Sequence, residues 1–287
     1  MLAIYKKEMR TYFTSIVGYL FLGFFLALIG LYFYGQNLRG GYTNFGYALM
    51  SVSLFFILLV PMLTMRIMAE ENRQKTDQLL YTSPVSVTKI IIGKYLSVLT
   101  MFSIVMLIVC FYPLILAEYG NVNLKMTYAV IFSFFLMGAA YMAIGLFISS
   151  MTESQAFAAI LTFVVVILSV FCTSIAELLP QDSKMAWGLF AVLLLLFAWL
   201  SYIIMRNITV SVVFGVVAEA VLFLFYRVKP ELFDGALVRV FSWFSIADRY
   251  SSFTYGEFDI ASIVYYLSYC VLFVFLTIQV VKKRRWA

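Results

Sequence analysis

Histidine is missing altogether from the 287 residues. Its absence removes the commonest general base and the commonest transition-metal ligand. Charge is scarce: Asp, Glu, Lys and Arg together make 12% of the chain, about half of the roughly 25% usual in soluble domains. So few charges cannot cover a water-facing surface. Three cysteines, Cys110, Cys172 and Cys270, lie inside apolar runs at unrelated spacings, which argues against both a disulfide framework and a zinc knuckle. No phosphate-binding loop occurs, because Gly93-Lys94-Tyr95 has no glycine at the required upstream position and no hydroxyl residue after Lys94. Catalytic residues, a resident metal and a resident cofactor are therefore not expected, and the chain does not read as an enzyme.

What is abundant is apolar surface: 64% of residues are hydrophobic and 18% aromatic, with a mean hydropathy of +1.00. A bilayer core takes about 20 apolar residues per helix. Eight segments approach that length, at 17–35, 47–68, 92–117, 127–149, 156–178, 187–205, 210–226 and 260–281. The expected fold is all-α, a polytopic membrane helical bundle of about eight transmembrane helices. Fourteen methionines are scattered through these runs as core filler rather than grouped for a soft metal.

The net charge of +6 does not point to nucleic acid, since the basic residues flank the spans. With the N-terminus inside, Lys6, Lys7, Arg10, Arg66, Arg73, Lys75, Lys89, Lys94, Arg206, Lys282, Lys283, Arg284 and Arg285 are all inside, 13 of 20. An even number of spans with both termini cytoplasmic follows. The start, MLAIYKKEMR, is not expected to be a cleaved signal, because no small-residue cleavage site follows the first apolar run. Instead residues 1–16 read as an amphipathic interfacial helix, with Leu2, Tyr5, Met9, Tyr12, Phe13 and Ile16 on one side and Lys6, Lys7, Arg10 and Thr14 on the other. Membrane lipids are its expected partners.

Residues 17–287 then form the transmembrane domain. Its outer connection before the last span contains an aromatic, amphipathic stretch at 236–258, whose apolar part, 236–247, is too short to span and which is rich in rings that favour the headgroup level. It is expected to be interfacial or re-entrant, and Phe241, Trp243, Phe244, Asp248, Arg249 and Phe253 are candidates for an outer gate. Small residues Gly138, Ala139, Ala140, Ala143 and Gly145 allow close helix approach. Glu219 is the one acid well inside a span and is a functional candidate on that ground.

One polar island breaks the pattern. AEENRQKTDQLLYTSP, residues 69–84, sits between the second and third apolar runs. Its residues favour helix and its acids gather at the N-terminal end, where the helix dipole favours them. Two to three helical turns are expected, ended by Pro84, with Ser86 capping the next helix.

The order of residues goes further than composition. The run 61–96 resembles the coupling region of type-2 ATP-binding-cassette (ABC) exporter permeases at Pro61, Leu63, Thr64, Met65, Arg66, Ala69, Glu70, Glu71, Arg73, Thr76, Leu79, Leu80, Thr82, Ser83, Pro84, Val85, Gly93, Lys94 and Tyr95. The start at 6–21, the inner turn at 151–163 and the ending at 248–286 look like the branch that includes the gliding-motility-associated and nitrous-oxide-reductase-associated permeases. The resemblance implies a six-span core, to which 187–226 adds an inserted hairpin.

It also implies that segment 69–86 is a coupling helix seated in a cytosolic ATPase, through Glu70, Glu71, Arg73, Thr76, Leu79, Leu80, Ser83 and Pro84. A second inner turn at Thr152, Glu153 and Gln155 would assist. The implied partners are two cytosolic ABC ATPase subunits holding ATP and Mg, a second permease copy or paralogue, and an extracytoplasmic accessory protein. The implied location is the bacterial inner or plasma membrane. The alternative class, an ion-gradient-driven secondary transporter, predicts inverted repeats and midplane charges, for which Glu219 alone is thin support.

Overall fold

A computed structural model of the chain describes residues 1–76, 85–178, 182–205, 208–229 and 233–286. Among them every regular element is a helix. The chain divides into two compact units, Met1–Val170 with Ile246–Ala287, and Phe171–Ser245.

The first unit begins with α1 (Leu2–Thr14), which turns at the extended residue Ser15 into α2 (Ile16–Tyr32); the Ser15 hydroxyl accepts the Val17 N–H. A π-helical turn, Phe33–Arg39, finishes the first span. The second apolar run is α3 (Gly46–Ser53) and α4 (Phe56–Thr64), followed by the short charged helix α5 (Ala69–Gln74). Then come α6 (Val87–Val109), α7 (Tyr112–Tyr119), α8 (Leu124–Met151) and α9 (Gln155–Val170). After the second unit the chain returns as α14 (Asp248–Thr254) and α15 (Ile260–Trp286).

Helix α8 is the centre of this unit. Of its most apolar stretch 83% is buried, against 33% for the first span and 17% for the last, which leave their aliphatic faces on the outside. Its glycines permit that position. A Cβ on Gly138 would run into the Phe102 ring, and one on Gly145 into the Thr64 side chain. Around Gly138 the buried rings of Phe25, Phe56, Phe102 and Phe134 interlock, with Phe25 stacked on Phe102 at 5.7 Å and Phe56 set against Phe134 at 5.1 Å.

The second unit holds α10 (Cys172–Leu178), α11 (Ser183–Met205), α12 (Ile208–Val228) and α13 (Ala236–Phe244). Helices α11 and α12 pair antiparallel: Trp187 meets Phe223 and Tyr226, while Gly215 sits against Ala198. A small core of Ala186, Phe233 and Leu237 closes one end.

By length and apolarity four helices among the described residues can cross a membrane, Ile16–Arg39, Val87–Tyr119, Leu124–Met151 and Ile260–Arg284. The number is six when Gly46–Ser53 is joined to Phe56–Gln74, and Gln155–Val170 to Cys172–Leu178. The two other predicted segments, 187–205 and 210–226, fall on α11 and α12. Each of the eight apolar runs is therefore helical, but the second is not a straight rod, because α3 and the helix beginning at Phe56 meet at 62°. Pro61 supplies the reason. It has no N–H for the Ile57 carbonyl and its ring crowds that turn, and the preceding bonds are of the tighter three-residue kind, Ile57 N–H to Leu54 O at 3.3 Å and Leu58 N–H to Phe55 O at 3.0 Å.

On the helix at the start, Ile4, Glu8 and Tyr12 turn towards the bundle, and Leu2, Phe13 and Ile16 are exposed. The predicted outer segment 236–258 is two helices, α13 and α14, separated at Ser245, and they belong to different units.

Candidate coupling site

The charged helix α5 is held by contacts that come from other elements. The first N–H groups of a helix lack intrahelical partners, and Met68 at its N-cap provides no side-chain cap. The hydroxyl of Ser149, in the last turn of α8, accepts both the Met68 and Ala69 N–H groups at 3.2 Å and donates to the Met65 carbonyl at 3.2 Å. One turn further, Asn72 Nδ2 donates to the Thr152 carbonyl at 3.0 Å. The segment is thus fastened to the end of α8 and to the turn that follows.

Helix α5 stops at Gln74 because Lys75 takes a left-handed conformation, φ 56°; the rest of the segment expected to be helical up to Pro84 lies, from residue 77 on, outside the described residues. Lys75 N–H then bonds the Asn72 carbonyl at 3.3 Å and Thr76 N–H the Glu71 carbonyl at 3.1 Å, the paired bonds of a Schellman motif. Ser86 occupies the N-cap position of α6, but its side chain makes no capping bond.

Beneath α5 lies a closed set of four charges. Lys94, on α6, is fully buried, and its ammonium reaches Glu8 Oε1 at 2.9 Å, Glu71 Oε2 at 2.8 Å and the Ile67 carbonyl at 2.8 Å. Three donors meet three acceptors. Lys7 closes the set from the surface, 2.5 Å from Glu71 Oε1 and 3.6 Å from Glu8 Oε1. Two cations and two carboxylates from α1, α5 and α6 therefore neutralise one another, the condition under which buried charge is tolerated. Tyr12 adds a hydroxyl donated to the Leu63 carbonyl at 3.1 Å.

The field of the set acts on the acidity of its own members. Burial alone would push the Glu71 carboxyl up, but Lys94 and then Lys7 outweigh it and hold its pKa below the ordinary glutamate range. Burial would likewise lower the Lys7 ammonium, but the hydrogen bond and charge of Glu71, with Glu8, carry it above an ordinary lysine. Alongside the set a groove of about 490 Å³ runs between α1 and residues 66–76, lined among others by Thr11, Arg66, Glu70 and Thr76.

Of the residues expected to meet a partner ATPase, Glu70 and Thr76 are half-buried, Arg73 is exposed, and Glu71 is turned inward and engaged by two lysines. Leu79, Leu80, Ser83 and Pro84 lie outside the described residues. In the second turn Thr152 is buried and tied to Asn72, Glu153 is exposed, and Gln155 begins α9. Arg284 of the last helix donates to the Met151 carbonyl at 3.0 Å, bringing the end of the chain to the same turn.

The outer-gate candidates fall on two helices. Asp248, Arg249 and Phe253 stand on α14 in the first unit, with Arg249 over the Tyr265 ring at 4.4 Å. Phe241, Trp243 and Phe244 stand on α13 in the second. Glu219 is half-buried on α12, and its Oε1 is buried without a hydrogen-bond partner among the described residues.

Sequence reasoning missed Glu8 and Lys94, though both left a signal. Glu8 is the one acid before Glu70, and Lys94 stands inside an otherwise apolar run, where a charge requires a partner.

A family model described as ABC-2 family transporter protein matches residues 36–278, which take in α3 to α14 and most of α15 but not α1. No curated protein and no solved structure matches the chain.

Proposed function

The chain belongs to the ABC-2 family of transporters, and from that premise we propose that it is the permease of an exporter driven by two cytosolic ATPase subunits that grip residues 69–86. As an ABC-2 membrane component it is a multi-pass membrane protein and a permease subunit rather than a catalyst, and the family implies an ATP-binding partner. ATP and Mg reside on that partner. A second copy of the chain, or a paralogue, completes the pathway. Both termini face the ATPase side of the cell membrane. Export as the direction rests on the sequence resemblance to the gliding-motility-associated and nitrous-oxide-reductase-associated branch.

The observation that carries the coupling assignment is the buried set Lys94, Glu71, Glu8 and Lys7. A displaced α5 cannot move alone, because the set ties it to α1 and α6 while Ser149 ties it to α8. Force from a partner is transmitted only through an element fixed in this way, and charge left on its outer side supplies the complementary contact. Glu70, Arg73 and Thr76 are then the ATPase-facing groups, Leu79, Leu80, Ser83 and Pro84 extend that face by the sequence match, and the turn at Thr152, Glu153 and Gln155 is a second contact.

The test separates docking from transmission. Replacing Glu70 and Arg73 together by Ala should release the ATPase on co-purification. Lys94→Met should leave it bound but cut ATP-driven transport. If the double variant retained both the complex and its coupling, the assignment would be wrong.

A further inference from the structure

Two cavities lie at the end of the first unit remote from the charge set. The larger, about 750 Å³, is bounded among others by Gln36 from the π-helical end of the first span and by Tyr47, Met50, Ser51 and Leu54 from the far half of the second. The smaller, about 320 Å³, is near the lower limit of small-molecule sites, roughly 300–1,000 Å³. It lies between the π-helical turn, the loop that follows it and the end of α7, and its chemistry is the more closely defined.

Asn37, which lines the smaller cavity, is only 3% exposed. Gly41, at φ 71°, turns the loop back over the π-turn, and both amide protons of Asn37 Nδ2 are committed there, to the Tyr42 carbonyl at 2.7 Å and the Asn44 carbonyl at 3.3 Å. Two carbonyls on that side fix which end of the amide is the nitrogen. What Asn37 has left to offer the cavity is Oδ1, buried and without a hydrogen-bond partner among the described residues. A buried acceptor without a donor is costly, and the side chain cannot turn to find one without releasing the loop. It is also carried by a π-turn, a local widening frequent at functional sites. None of the residues lining the cavity is charged: Leu116 is buried, while the Tyr42 and Tyr119 rings stand exposed with Leu38. A charged ligand would leave water with no opposite charge to meet, whereas a ring packed against these rings gains beyond its area. At this size the space takes one ring system rather than an acyl chain.

A ligand that meets these conditions is uncharged, aromatic and carries a hydrogen-bond donor. We propose that the smaller cavity is a binding site for indoles and phenols, with the ring N–H or O–H donated to Asn37 Oδ1 and the ring held against Tyr42, Tyr119 and Leu116. The site goes beyond the permease reading above and does not depend on it.

The test uses the full-length protein in nanodiscs of zwitterionic lipid without any ATPase, followed by fluorine NMR, and empty nanodiscs set the lipid background. The probes are 5-fluoroindole and 5-fluorobenzofuran, which has the same shape but an oxygen acceptor in place of the N–H. Saturable binding of 5-fluoroindole above the background, displaced by phenol, is expected. The benzofuran should bind more weakly by about tenfold or more, the loss of one hydrogen bond to a buried acceptor. Gly120→Leu should close the cavity, since the backbone there is extended and the nearest atom to an added Cβ is the Thr43 methyl at 3.6 Å, an ordinary contact. Where that variant does not fold, the two probes on the unaltered protein decide the matter. Equal affinity of the two probes, no saturable binding above the empty nanodiscs, or unchanged 5-fluoroindole affinity in folded Gly120→Leu would overturn the proposal. Since no ATPase takes part, that failure is distinct from failure of the Glu70 and Arg73 co-purification test.

Discussion

Deleting the Lys94 ammonium should free α1 from the bundle, and the size of the effect can be worked out. Lys94 is fully buried and meets two carboxylates and a carbonyl within 2.9 Å. Lys94→Met removes all three contacts and leaves Glu8 and Glu71 facing each other with only Lys7 between them. Breaking a buried pair by removing one member costs about 3–5 kcal/mol. Lys7 still holds Glu71, which places the loss near the lower figure, roughly a hundredfold in the local opening equilibrium. Lys7→Met is the comparison: its side chain is 56% exposed, and exposed pairs contribute about 0–1 kcal/mol. Hydrogen exchange of the α1 amides in reconstituted protein reads both. Lys94→Met should deprotect α1 far more than Lys7→Met, and Glu8→Gln added to Lys94→Met should restore part of the protection by removing one uncompensated charge. Equal, small effects of the two lysine substitutions would refute the reasoning.

The capping of α5 by a distant hydroxyl predicts that Ser149→Ala, which leaves the Met68 and Ala69 N–H groups without their acceptor, costs about 1–3 kcal/mol, read as a lowered thermal unfolding midpoint and faster exchange at those two amides. Lys75→Gly should act in the opposite direction, stabilising the end of α5 by about 1 kcal/mol, because glycine adopts the left-handed conformation without the steric cost a lysine carries; a midpoint that fell would contradict the capping geometry. The charge set also predicts a plateau in pH. Glu71 is held below its ordinary pKa, so its contribution is complete above about 4.3 and is lost as pH falls through the lower folded value; Lys7 is held above its ordinary pKa, so its contribution is complete below about 10.4 and is lost as pH rises through the higher folded value. Protection of α1, corrected for intrinsic exchange, should be flat between those limits and fall on either side.

Hydropathy made the helical, membrane-spanning character legible, because apolar runs of spanning length can satisfy their backbone in lipid only as helices or closed barrels, and these runs carry no two-residue alternation. The polar island was legible for the same reason in reverse. What escaped were features decided by contact. The face that α1 presents to the bundle is set by Glu8 finding Lys94 across 86 positions of sequence, and a periodicity argument, which weighs apolar residues, placed Glu8 with neither face. The end of α5 at Gln74 depends on a lysine adopting a conformation usually left to glycine, which no propensity anticipates. The break at Leu54 and Phe55 lies six residues before the proline that provokes it. The gate candidates were read as one segment because their aromatic content is continuous, although the extended backbone at Ser245 divides them between two helices.

The bend in the second span makes it a lever. Helix α3, eight residues long, extends about 12 Å beyond the break, so that a swing of about 10° there would carry its tip about 2 Å sideways. A straight rod pushed at α5 would slide along its own axis and leave the walls around it where they were. A cranked one turns an axial push at one end into a lateral displacement at the other, where Tyr47, Met50, Ser51 and Leu54 line the far cavity. The proline in α4 thus converts the direction of a force as well as shaping a helix.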